Sequence, residues 1–254
     1  MKKLLAITAL SAALFFGQTA AAEEKAAEEV KPSHVEMVLV LDESGSMSNL
    51  TNDTIGGFNS MIEKEKKLDV DAHVTTVLFN DQYKMLYNRR ELKDVRKMTD
   101  KDYTPGGMTA LLDAVGRTIH KMDMVSGIHR KDKGNKVLFV IITDGEENDS
   151  KEYTYADVKK LIKDRQENAG WEFIFLGANI DAAAAAENLG IDRDRAVKYK
   201  NTGSGVRANF RAVAELSDSL AKSGRVSDEW KETVEKDEDD AADKQSAAVT
   251  LHRR

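Results

Sequence analysis

The chain has 254 residues, with 38 Lys and Arg against 44 Asp and Glu, a formal net charge of −6 and no cysteine. Its acids run along the whole length instead of being set apart from a basic face, which argues against a phosphate-neutralising nucleic-acid binder. Without cysteine there is neither a disulfide nor a thiol-borne lipid anchor, so the fold has to rest on its own core.

Lys2 and Lys3 precede an apolar stretch over 4–17, and Ala20-Ala21-Ala22 supplies small residues for cleavage. That is the pattern of an export signal. The stretch is shorter than the ~20 residues a membrane-spanning helix needs, so residues 1–22 read as a signal removed after Ala22 and the protein as exported, to a periplasm or to the outside medium. Removal takes two basic residues and no acidic ones, leaving 36 against 44 and a charge of −8. No later segment is apolar and long enough to span a membrane. Residues 23–34 are charged and Ala-rich around Pro32, the composition of a solvated linker.

A folded domain is expected over 35–224. The runs at 37–41 and 137–142 are unbroken apolar stretches, and 171–176 is nearly so, short and rich in β-branched and aromatic residues, as in strands buried on both faces. Between them Ile55, Phe58 and Ile62, then Leu112, Val115, Ile119 and Met122, then Val158, Leu161 and Ile162 recur at helical spacing. Alternating strand and helix implies an α/β fold, a doubly wound Rossmann-like three-layer sandwich with a mostly parallel central sheet. The segments 74–79 and 84–87 are separated only by a polar turn at Asn80 and Asp81, too short for a crossover helix, so one edge strand is expected to be antiparallel. Asp181 opens an Ala-rich helix that Gly190 closes, 196–200 reads as a last short strand, and a helix carrying Phe210, Val213 and Leu216 ends the domain near Gly224.

Residues 225–254 hold six basic and nine acidic residues and few apolar ones, and read as a disordered tail. The acidic cluster at 237–240 with Asp243 makes a poor calcium loop, since Ala242 stands where the turning glycine belongs.

The chemistry-bearing pattern is Asp42-Glu43-Ser44-Gly45-Ser46, directly after the first strand. In extended backbone alternate side chains share a direction, so Asp42, Ser44 and Ser46 can offer oxygens to one point. Ligands of open α/β sheets bind beyond the carboxyl ends of the strands. Two further loops belong there: Thr109, after Pro105-Gly106-Gly107, and Asp144, after the strand at 137–142. All five are hard oxygen donors, suited to magnesium, manganese or calcium rather than zinc or copper. Singly each has an ordinary explanation, Thr109 as a helix cap and Asp144-Gly145 as a turn. Glu146, Glu147, Asn148 and Asp149 read as a solvated loop, and His34, His73, His120, His129 and His252 show no ligand spacing and are given no role.

Together these features resemble the metal-ion-dependent adhesion site of von Willebrand factor A and integrin I domains, over about 35–224 and at all five motif positions. The segments 177–181 and 201–210 are further similar to a bacterial, exported branch of that family. The resemblance implies direct metal ligation by Ser44, Ser46 and Thr109, with Asp42 and Asp144 acting through waters or directly. It implies a Mg2+ cofactor, with Mn2+ or Ca2+ as substitutes, and a protein or peptide partner supplying a Glu or Asp carboxylate, in a binding protein rather than an enzyme. A metal-dependent phosphatase or esterase is the alternative, although no histidine or lysine is placed as a base for Ser44 or Ser46. A scaffold without metal is the other, and the oligomeric state stays open.

Overall fold

Strands alternate with helices from the first described residue onward, because short β-branched runs punctuated by amphipathic segments can bury both kinds of element only in layers. The computed structural model describes residues 34–68, 70–125 and 135–236. In chain order they form β1 (His34–Asp42), α1 (Thr51–Lys67), β2 (Ala72–Phe79), β3 (Tyr83–Glu91), α2 (Leu111–Asp123) and β4 (Asn135–Thr143). There follow α3 (Tyr155–Asp164), β5 (Glu172–Gly177), α4 (Ala182–Leu189), β6 (Ala196–Lys198) and α5 (Gly203–Ser223). The expected signal and linker fall outside the described residues.

The described strands join in one sheet of order β3-β2-β1-β4-β5-β6. β2, β1, β4, β5 and β6 run parallel to one another, while β3 pairs antiparallel with β2 across the turn at 80–82. This is the three-layer sandwich with an antiparallel edge that the sequence predicts. Along β1 the pleat splits the core: Met37, Leu39 and Leu41 pack with Phe58, Ile62, Phe210 and Leu216 of α1 and α5. Val38 and Val40 face the other way, toward Val115, Ile119, Val158 and Ala186 of α2, α3 and α4. Helices α1 and α5 lie close enough that a Cβ on Gly57 would come within 2.5 Å of the Phe210 ring.

Local chemistry ends the helices where the sequence predicts. The Asp181 carboxylate accepts the Ala184 N–H at the start of α4, and Gly190 closes it with φ 88°.

One expectation needs correcting. The chain does not leave the fold at Gly224: residues 230–236 include a further helical turn, and Trp230 and Val234, each 1% exposed, join the core beneath α1 and α5. The expected disordered tail over 225–254 rested on average composition, which hides two apolar side chains spaced i, i+4 that close one helical face. Thr233 Oγ1 also donates to Glu215 Oε2 of α5 at 2.6 Å. Residues 237–254 lie outside the described part.

Candidate functional site

Strands β1 and β4 are neighbours in the sheet, and from that pair the chain order runs outward in opposite directions. Their carboxyl ends therefore open on the switch point at which doubly wound sheets hold ligands. Asp42 ends β1, and its Oδ1 accepts the Ser44 N–H at 2.7 Å, which bends the following loop back over the strand end. Its Oδ2 accepts from Thr143 Oγ1, the last residue of β4, at 2.6 Å. Ser46 Oγ donates to Asp144 Oδ1 at 2.5 Å and stands 3.0 Å from Ser44 Oγ.

The third loop is stitched to the first through its backbone. Gly45 N–H donates to the Gly107 carbonyl at 3.2 Å, and Gly106 N–H to the Glu43 carbonyl at 2.9 Å. Gly107 sits at φ 77°, and a Cβ there would lie 1.9 Å from Asp81 Oδ1, so only glycine lets the loop pass. Thr109 does not cap α2; the flanking Ala110 occupies that position without a side-chain bond. Thr109 Oγ1 instead faces Gly145, 3.8 Å from where a Cβ on that glycine would be. The structure thus gathers Asp42, Ser44, Ser46 and Asp144 into one contiguous group, bordered by Thr109.

Asp42 and Asp144 are 1% and 2% exposed, and neither has a Lys or Arg partner among the described residues. Burial pushes the Asp42 pKa up, against hydrogen bonds from Ser44 and Thr143, and the nearby Asp144 charge pushes it the same way. Behind them Tyr103 donates its hydroxyl to the Asp42 carbonyl at 2.6 Å. Tyr199 is fully buried, and burial together with the Asp144 and Asp42 charges raises its pKa well beyond the ordinary value. Ser46, Gly107 and Met108 are exposed, so the group opens to solvent. Two buried carboxylates and three hydroxyls, all oxygen and short of positive charge, could hold a divalent cation of the magnesium or calcium class.

Several residues that position the group carry no motif. Asn201 Nδ2 donates to Asp144 Oδ2 at 3.2 Å, and Asn179 Nδ2 to the Asp144 carbonyl at 3.3 Å. Asn148 grips the backbone of Thr109 from both sides, its Oδ1 accepting the Thr109 N–H at 2.9 Å and its own N–H donating to the Thr109 carbonyl at 3.0 Å. Glu147 accepts the Leu112 N–H, and Asp113 accepts the backbone N–H groups of Lys151, Glu152 and Tyr153. The polar run that reads in the sequence as a solvated loop is a strap across the start of α2. No spacing along the chain signals these long-range amide bonds. The same holds for His34 and His73, given no role in the sequence, which meet at the far end of β1 and β2; His120 bonds the Tyr153 hydroxyl, and His129 and His252 lie outside the described residues.

This sheet order, with oxygen-bearing side chains gathered at its switch point, is the architecture of a von Willebrand factor A-type domain. Residues 34–190 match the vWA-TerF-like family, described as the vWA found in the TerF C terminus, and the chain belongs to that family. No curated protein sequence matches it. Among solved structures it is similar to the pilus adhesin SpaC of Lactobacillus rhamnosus GG, at 14% identity and a TM-score of 0.59, over 76% of this chain and 31% of that one. It is also similar to the vWF domain of the type V pili tip protein Mfa5 of Porphyromonas gingivalis, at 12% identity and TM-score 0.53, over 78% of this chain and 99% of that one. A D319A mutant of the PilB minor pilin of Streptococcus sanguinis gives 11% and 0.54, over 77% and 64%. The chain thus spans about a third of SpaC. At these identities the likeness is one of fold.

Proposed function

We propose that the rim formed by Asp42, Ser44, Ser46, Thr109 and Asp144 binds a Mg2+-class ion, with Mn2+ or Ca2+ able to replace it, and that the ion captures a carboxylate of a protein or peptide partner. The observation that carries this reading is the pair of buried carboxylates, Asp42 and Asp144, without a basic partner among the described residues and beside an exposed serine hydroxyl. A divalent ion would supply the missing positive charge, and because three of its ligands are neutral hydroxyls it would keep enough charge to attract an acidic group.

Binding is favoured over hydrolysis. The hydrogen-bond partners of the Ser44 and Ser46 hydroxyls are each other and carboxylates, so neither serine is presented to an imidazole or ammonium base among the described residues. The fold neighbours described as a pilus adhesin, a pili tip protein and a minor pilin support an adhesive or assembly role outside the cytoplasm. The amino-terminal export pattern agrees with that placement, and no helix among the described residues is long and apolar enough to cross a membrane.

The test is capture from an envelope extract by the immobilised chain, in Mg2+ and in excess chelator, beside a Thr109→Ala variant that keeps the backbone clamp of Asn148. The reading predicts a retained partner that is lost with chelator and lost in Thr109→Ala. Retention undiminished by chelator would refute it.

A further inference from the structure

The end of the sheet opposite the rim holds a second convergence of ligand atoms, of different chemistry. His34 and Glu36 are two residues apart on β1 and so share a face, and the parallel register sets His73 of β2 directly beside Glu36. His34 Nε2 and His73 Nδ1 are 2.9 Å apart, His73 Nδ1 and Glu36 Oε1 3.2 Å, and His34 Nε2 and Glu36 Oε1 3.3 Å. Ligands about 2.0–2.1 Å from a tetrahedral ion are separated by roughly 3.3 Å. The triangle is therefore within a few tenths of an ångström of what a zinc-like ion demands.

Polar neighbours outside the triangle orient its members. Asp71 Oδ1 lies 3.0 Å from His34 Nδ1, the carboxylate–histidine arrangement that orients metal-bound imidazoles. Arg89 Nη2 lies 3.1 Å from His73 Nδ1, and the same guanidinium pairs with both oxygens of Glu36. Three ligand atoms thus converge on one place beside the Arg89 guanidinium, whose charge balances the Glu36 carboxylate there. Arg89 is delivered by an irregularity in β3, where the register against β2 shifts and its own φ is 45°, a strained conformation for a residue other than glycine. Its side chain is 32% exposed and those of His34 and His73 are 18% and 26% exposed, so an ion can reach the cluster and the guanidinium can yield to it.

We propose that His34, Glu36 and His73 form a second metal site, selective for a zinc-class ion, and that Arg89 holds the place of that ion and competes with it. The mixed imidazole and carboxylate donors separate it from the all-oxygen rim, and it does not depend on the rim binding anything. Solvent supplies the remaining ligand.

The experiment titrates Zn2+ into untagged wild-type protein, in excess Mg2+, and into His34→Gln, His73→Gln and Arg89→Gln variants. Glutamine keeps a hydrogen-bonding side chain without an imidazole. Imidazole NMR of the wild type is read alongside, so the result stands even if a variant fails to fold. The proposal predicts one zinc ion per chain, affinity at least about tenfold weaker in either histidine variant, tighter binding in Arg89→Gln, and zinc-induced shifts at His34 and His73. Absence of zinc binding by the wild type, an affinity in both histidine variants equal to that of the wild type, or shifts confined to other histidines would overturn it. Unchanged or weaker binding in Arg89→Gln would overturn the competition.

Discussion

Glu65 lies on α1 with its side chain wholly buried against α5, where Ser217 Oγ donates to Oε2 at 2.7 Å and Oε1 has no partner among the described residues. Burial raises its pKa from 4.5 to about 7, against the Ser217 bond and with help from Asp218. Between those two values the native chain holds a proton that the unfolded chain has released. Stability therefore falls as pH rises through 4.5 to about 7 and levels off above. Glu65→Gln should accordingly be more stable than wild type at pH 8, by up to about 3 kcal/mol, and should lose that advantage by pH 4. Urea denaturation at the two values checks this, and an advantage equal at both would show that Glu65 does not titrate in this range. At this scale the rim was legible in the sequence because Asp42, Ser44 and Ser46 follow the first strand at alternate positions, although the backbone is not extended throughout: a 3-10 turn over Gly45–Leu50 carries Ser46. Glu65 was not, since a charged residue every few positions on α1 looks the same whether it faces water or a neighbouring helix.

The parallel pairing of α1 with α5 leaves an apolar surface that the segment after Gly224 covers. Trp230→Ala should cost about 3–5 kcal/mol, the range for emptying a buried aromatic site. Thermal unfolding of this variant beside wild type measures it, and equal stability of the two would return that segment to the status of a tail. The element order was readable because the strands at 37–41, 137–142 and 171–176 are continuous apolar runs and the helices between them are amphipathic. The strap at 146–153 was not readable. Glu147 accepts backbone N–H groups of α2 and of the strap itself, and Asp113 of α2 accepts those of the strap, a use that composition cannot distinguish from solvation.

Across the whole molecule, charge and architecture set the problem that the ion would solve. The chain carries a net −6, and the rim adds two buried carboxylates where a partner carboxylate is proposed to dock. Without a cation this end of the sheet would repel such a partner; with one, the local sign reverses. The doubly wound topology was foreseeable from alternation alone, and it carries the consequence that loops after β1 and β4 and before α2 meet at one rim. Sequence could place those loops together but could not show the asparagines 148, 179 and 201 that hold them, since each is a single residue on a separate loop. The central claim is tested most directly by calorimetric titration of Mg2+ into metal-free wild-type protein and an Asp144→Asn variant. One saturable site in the wild type, abolished by Asp144→Asn while the fold is retained, is the predicted result. A wild-type chain that takes up no Mg2+, or an Asp144→Asn chain that binds it equally well, would contradict the account.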